Sequence, residues 1–261
     1  MDILTAKYGS GVTTNDDGID QLRINHHAEE LAEMQDRFGL IIVTSGAVAA
    51  GQALWRTRLS TSQNSDMVPT LQSFASIGSP RIFTAWQEAL DRVGIVAGAI
   101  SITHHEIDDP AEGSMFAESV RANLKCGIAT ILNENDAVSD IELARLSYGG
   151  ENDGLAYHGA RAIGAHTFIL FTSKGGILSN EGHEIPVIPR TDFQTTLSMM
   201  KGRRKGANGR GGPYVKTLVG IMAAKAGMDS FIARPDQPIV DILEGRVGTR
   251  FDYVAKAART L

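Results

Sequence analysis

The chain has 261 residues, 43% hydrophobic and 21% charged, with a formal net charge of −5. That composition excludes a disordered or fibrous protein, and the acidic balance argues against nucleic acid as the main partner. No uninterrupted apolar run approaches the roughly 18–20 residues of a membrane-spanning helix, and the N-terminus lacks the basic-then-apolar pattern of a secretory signal. The single cysteine, Cys126, allows no internal disulfide and fits a reducing compartment. The reading is of a cytoplasmic globular protein, with Cys126 in LKCGIA as a small buried hydrophobe. A chain this long buries enough surface to fold without staples.

The predicted elements alternate. The first is a short apolar run within ILTAKYGSGV (3–12), which places Lys7 just before Gly9, Ser10 and Gly11. QLRINHHAEELAEMQDRF (21–38) has Leu22, His26, Leu31 and Met34 near a helical period, which makes His26 and His27 partly exposed helix residues. LIIVTS (40–45) is a buried strand leading into TSGAVAAG (44–51), small residues that open a helix. Residues 57–66 have little regular pattern. RIFTAWQEALDRV (81–93) is an amphipathic helix with Ile82, Trp86, Leu90 and Val93 on one stripe, and VGIVAGAIS (93–101) is a second buried strand.

HHEIDD (104–109) is rich in metal-ligating residues. On a strand, neighbouring side chains face opposite ways, and no outlying partner completes a zinc set, so no metal site is assigned. MFAESVRANLKCG (115–127) is a helix stopped by glycine, and IATIL (128–132) is a strand followed at once by NENDAV. GGENDGLA (149–156) enters a helix. HTFILFT (166–172) is a fourth strand, and Ser173, Lys174, Gly175 and Gly176 follow it. The stretch 199–212 is glycine-rich and basic, and PYVKTLVGIMAAKAGM (213–228) is a helix with proline in its first turn.

Strand–helix–strand repetition implies a mainly parallel sheet between helix layers, and no linker divides it, so 1–261 reads as a single domain. In such a sheet ligands bind beyond the C-terminal strand ends. The polar and glycine-rich junctions all fall there. None matches the Walker A spacing or a G-x-G-x-x-G turn. The basic loop Lys201–Arg210 lacks the interleaved aromatics of a single-strand nucleic-acid binder. Ser45 lies outside a nucleophile elbow.

Together KYGSGV, VTSGAVAAG, LNENDAV, GGENDGLA, FTSKGGI, GRGGPYVK and VGTRF resemble the glutamate 5-kinases of the amino acid kinase family, in order and over nearly the whole chain. The resemblance implies a three-layer αβα sandwich with about eight strands. It implies ATP-dependent phosphorylation of the γ-carboxylate of L-glutamate, the first step of proline biosynthesis. It also implies Mg²⁺ accompanying the nucleotide and a homo-oligomer, dimer or tetramer. A related kinase with a different carboxylate or phosphate acceptor, or a weakly catalytic nucleotide-binding relative, is the alternative.

By the same resemblance Lys7, Asp153 and Lys216 are catalytic, and Ser45, Gly46, Ala47, Asp136 and Asn152 bind the amino acid. Lys7, Gly9, Ser10, Thr172, Ser173, Arg210, Gly211, Gly212 and Lys216 bind ATP. These assignments suit the chemistry. Two anions must meet, so the protein supplies positioning and charge neutralisation. Gly9, Gly11 and Gly46 let backbone N–H groups approach phosphate oxygens. Asp136 offers an acceptor for an α-ammonium, and Asn152, Ser45 and backbone N–H groups offer donors for carboxylates.

The chain departs from the family at several points. Ser173 stands where the family has Asp, Arg210 where it has Thr, Pro213 where it has Met, Glu151 where it has Asp, and Gly11 where it has Ser. The segment between 172 and 206 is shortened, and the chain ends soon after VGTRF, which leaves no room for the PUA domain many members carry.

Overall fold

The computed structural model describes residues 1–58, 70–138, 151–201, 203 and 212–253; the side chain of Glu151 is outside that description. The chain opens with β1 (Asp2–Tyr8), the short α1 (Ser10–Thr13), a small hairpin of β2 (Thr14–Asn15) and β3 (Gly18–Ile19), and α2 (Gln21–Ala32). Then come β4 (Phe38–Val43), α3 (Ala47–Arg58), α4 (Leu71–Arg92) and β5 (Ala97–Ile102). Next are α5 (His104–Asp108), α6 (Pro110–Lys125), β6 (Ala129–Glu134), α7 (Glu151–Ile163) and β7 (Thr167–Phe171). The remainder holds β8 (Val187–Pro189), α8 (Phe193–Lys201), α9 (Pro213–Lys225), β9 (Asp229–Ala233), α10 (Ile239–Leu243) and β10 (Thr249–Asp252).

Eight strands form one sheet in the order β5-β6-β4-β1-β7-β9-β10-β8. Every neighbouring pair is parallel except β9 with β10. Alternating side chains fill a core on each face, as a sheet covered on both sides requires. Leu4, Leu40, Ile42 and Ile169 pack with Ile24 of α2 and Trp86 of α4. Ile41, Val43, Leu132 and Phe168 face the other way, toward Val120 of α6, Leu155 of α7 and Val219 of α9. The architecture is therefore the expected αβα sandwich around a mainly parallel sheet.

Local chemistry sets the helix starts. Asp20 and Thr70 cap α2 and α4 by accepting from the N–H of Arg23 and Ser73. Asp109 accepts from Ala111 and Glu112 ahead of Pro110 in the first turn of α6. Thr103 and Glu106 form a capping box at α5. HHEIDD is thus largely helical, contrary to the strand reading, because the Thr-x-x-Glu signal one residue upstream decides it.

The predicted helix at 81–93 begins ten residues earlier and carries Pro80 in its interior. Proline normally ends a helix. Here α3 packs so tightly on α4 that a Cβ at Gly78 would lie 1.8 Å from the Ala47 carbonyl oxygen, and one at Gly51 2.0 Å from that of Phe74. The interlocking glycines seat α4 closely on α3 within two residues of Pro80.

The buried stripe of α2 is also rotated from the expected one. It comprises Ile24, His27, Ala28 and Leu31, while Leu22 is 82% exposed. His27 is buried, not partly exposed. Its ring stacks near Tyr8, Trp86 and Phe171, with centroids at 4.8, 6.5 and 6.3 Å. Cys126 is exposed, not buried, because it caps the C-terminus of α6 on the turn toward Gly127 rather than facing a core.

Burial, with the nearby His26 and Arg23 charges, lowers the His27 pKa from 6.5 to about 4. The folded chain therefore holds this imidazole neutral where the unfolded chain would protonate it. Its stabilising effect is complete above pH 6.5 and is lost as pH falls toward 4. Denaturant unfolding across that window should show a pH slope for the wild type that shrinks in His27→Phe; an identical slope in the variant refutes the assignment.

Candidate functional site

From β1 the chain crosses to β4 on one side, and β7, on the other side of β1, leads onward to β9. The connections diverge at β1 and β7, so loops splay apart beyond their C-terminal ends. A cleft of about 1140 Å³ opens there. Its walls include Lys7, Ser45, Asp136, Asn152, Asp153 and Lys216. Gly9, Ser10, Gly46, Ala47, Thr172 and Ser173 line it as well. At the start of α9 it is Pro213 that lines the cleft, while the Gly212 carbonyl accepts from the N–H groups of Val215 and Lys216 at 3.1 and 3.3 Å. Arg210 and Gly211 lie outside the described residues.

The centre of the cleft is an ion triad. Asp153, in the first turn of α7, pairs through Oδ1 with Lys7 Nζ from β1. Its Oδ2 accepts from Lys216 Nζ of α9 at 2.6 Å. Lys7 and Asp153 are 4% and 2% exposed. Burial pushes the Asp153 carboxyl pKa up, but the charges and hydrogen bonds of Lys216 and Lys7 outweigh it and hold the group at about 2. The carboxylate is ionised throughout the neutral range and cannot act as a base there. With both oxygens committed, it fixes two ammonium groups and leaves the triad with a net positive charge.

A second network shapes the other half. The Glu134 N–H donates to Asn152 Oδ1 at 3.2 Å, and Asn152 Nδ2 donates to Ser45 Oγ at 2.9 Å. A backbone N–H can only donate, so the Asn152 carbonyl must face β6 and its amide must face Ser45. Ser45 Oγ is therefore an acceptor on that side, and its own proton remains for a partner in the cleft. The Ser45 carbonyl is held by Thr13 Oγ1 at 2.8 Å. Gly46 follows at φ 105°, where a Cβ would come within 2.8 Å of the Thr14 side chain, so only glycine suits this turn. Asp136 lies just past β6 and is 8% exposed.

Beyond β7, Thr172 Oγ1 donates to the Gly175 carbonyl at 2.8 Å, which closes the turn that presents Ser173 to the cleft. Thr172 thus shapes the loop with its hydroxyl proton and also lines the cleft.

Residues 3–234 match the model of the amino acid kinase family. The chain belongs to that family. It is 30% identical over 259 residues to a glutamate 5-kinase of Photorhabdus laumondii, covering 95% of this chain and 68% of that protein. It is 30% identical over 219 residues to one of Salmonella arizonae, covering 81% and 58% respectively. The chain thus spans 58–68% of the length of these curated relatives. In three dimensions it is similar to a carbamate kinase from Giardia lamblia bound to AMP-PNP, with a TM-score of 0.71 and 11% identity over 97% of this chain and 99% of that one. That likeness is one of fold.

The cleft of this family member also has walls that sequence reading missed. Val48, Gln52 and Arg56 line it from α3, at a four-residue spacing that the helical period explains in retrospect. Asn15 and Asp16 line it from the β2–β3 hairpin, and Arg56 Nη2 donates to the Asp16 carbonyl at 3.0 Å. Arg203 also lines it, anchored by the Ser179 carbonyl at 2.9 Å. Among the described residues no helix is long and apolar enough to cross a membrane.

Proposed function

We propose that this kinase transfers the terminal phosphoryl group of ATP to the γ-carboxylate of L-glutamate, forming γ-glutamyl phosphate for proline biosynthesis. The Lys7–Asp153–Lys216 triad carries the reading. It sets two fixed ammonium groups in a cleft that also presents a buried carboxylate, Asp136, and a hydroxyl whose proton is free to donate, Ser45. The cationic half suits phosphate oxygens, and the other half suits an amino acid. Glutamate 5-kinase relatives at 30% identity support the acceptor.

A γ-carboxylate is already ionised at neutral pH, so its attack on phosphorus needs no base. One carboxylate oxygen forms the new P–O bond, the bond to ADP breaks, and ADP keeps the electron pair. What the chain must provide is alignment and stabilisation of charge on the transferring group. Lys7 and Lys216 do this, each oriented by one oxygen of Asp153. Backbone N–H groups of Gly9, Ser10 and Gly46 complete the phosphate cradle. Asp136 receives the α-ammonium, and Ser45 donates to a carboxylate, held in that sense by Asn152. Asn152 is a positioning residue in this scheme as much as a ligand. Mg²⁺ bound with the nucleotide would supply further charge neutralisation; Asp153 is the carboxylate set beside the lysines that would meet the phosphates.

The test is acyl hydroxamate formation with ATP, Mg²⁺ and hydroxylamine, comparing L-glutamate, L-aspartate and N-acetyl-L-glutamate. Product from glutamate alone supports the proposal, and turnover confined to another acceptor sinks it. In the same assay Asp136→Ala should raise KM for glutamate about tenfold or more, with kcat much less affected, because the ammonium contact is made equally in ground and transition states. An unchanged KM would remove Asp136 from the acceptor site.

A further inference from the structure

Behind the acceptor half of the cleft, between β6 and the helices α5 and α7, lies a group of two acids and two histidines that the proposed reaction does not use. Glu134 ends β6 and is 2% exposed. His104 opens α5 and brings Nε2 to 3.8 Å from Glu134 Oε2. His158 of α7 stands edge-on to His104 with ring centroids 5.6 Å apart, and its Nδ1 lies 3.1 Å from Asp108 Oδ1.

A carboxylate this deep is tolerated only where charge or hydrogen bonds compensate it. What makes its place informative is what it joins. The register sets Glu134 opposite Ile102, and the next N–H, of Asn135, donates to the Ile102 carbonyl at 3.1 Å. The ends of β5 and β6 are therefore tied directly before His104 and Asp136. The Glu134 N–H also fixes Asn152, which in turn fixes Ser45. One residue thus sits where β6, α5 and α7 meet: its backbone reaches Asn152 of α7 and, through it, Ser45 beyond β4, while its side chain, two residues before Asp136, approaches His104 of α5.

We propose that Glu134 and His104 are positioning residues for the amino-acid acceptor. The 3.8 Å approach of their side chains, beside the His158–Asp108 contact, holds the β6 end so that Asp136 and Ser45 face the ammonium and carboxylate of the substrate. The inference rests on the acceptor site proposed above. Asp153, next to Asn152 on α7, is held through its own side chain by Lys7 and Lys216, so the larger effect falls on the acceptor.

Glu134→Gln, His104→Asn and the double variant test this with steady-state kinetics and thermal unfolding of the full chain. Each single variant should raise KM for the acceptor about tenfold, with KM for ATP and kcat within about threefold of wild type. The double variant should cost no more than the larger single effect, since the two residues act as one unit. Acceptor KM unchanged in the folded variants overturns the proposal. So does a joint rise in both KM values with a fall in Tm, the mark of a merely structural pair. If Glu134→Gln does not fold, His104→Asn, on a side chain 16% exposed, carries the test alone. The wild-type hydroxamate assay settles the acceptor first, and KM is read for whichever acceptor the wild type turns over. Failure of glutamate as substrate is thereby separate from failure of this pair.

Discussion

Asp153→Asn is expected to lower kcat by about a hundred- to a thousandfold and to destabilise the fold as well. The carboxylate is the shared counter-ion of Lys7 and Lys216. An amide can still meet one lysine with its oxygen but presents an N–H₂ to the other. Preorganised charge of this kind is typically worth about 10²–10³ in rate. Lys7, 4% exposed, would be a buried ammonium facing an amide in place of a carboxylate, and breaking a buried ion pair costs about 3–5 kcal/mol in comparable cases. Single-turnover kinetics and urea unfolding separate the two effects. A variant with kcat within tenfold of wild type would show that the triad is not the catalytic centre. The same pair predicts the acid limb of stability. With the carboxyl lowered from 3.8 to about 2, its contribution is complete above pH 3.8 and disappears as pH falls through 2.

Lys216→Ala should act on the rate and spare the fold. The Lys216 side chain is 24% exposed, and its removal leaves the Lys7–Asp153 pair intact, so no buried charge is stranded. The expected outcome is a fall in kcat of about 10²–10³ with urea midpoint and acceptor KM little changed. The difference between the two variants is itself diagnostic. Equal loss of stability in both would mean that Lys216 is a structural member of the triad rather than a group aimed at the phosphates. Turnover surviving Lys216→Ala would move the second cation elsewhere on the cleft wall.

Much of the layout was legible in the sequence because the signals are local. Short apolar runs ending in polar or glycine-rich junctions marked β4, β6 and β7 within a few residues of their bounds, and Pro213 marked the start of α9. A parallel sheet requires those junctions to converge, and the resemblance to the amino acid kinase family is what singles out Lys7, Ser45, Asp136, Asn152, Asp153 and Lys216 among them. Where local signals competed, reading failed. Thr103 and Glu106 outweigh the strand-like HHEIDD, and the phase of α2 differs because His27 lies on its core face beside Leu31 while Leu22 faces solvent. Gln52 and Arg56 were passed over since nothing in their own neighbourhood marks a cleft wall.

The amino-acid sequence by itself determined the alternation of strands and helices, the glycines that only certain turns accept, and the kinds of charge available at each strand end. Tertiary structure alone decided how those charges are spent. Lys7 and Asp153 are 146 residues apart, and Asn152 and Ser45 are 107 apart. No local pattern states that one carboxylate will hold two lysines, or that an amide will turn a serine proton toward the cleft. Those assignments follow from burial, which forces each polar group to find a partner, and from the sheet order, which determines the partners within reach.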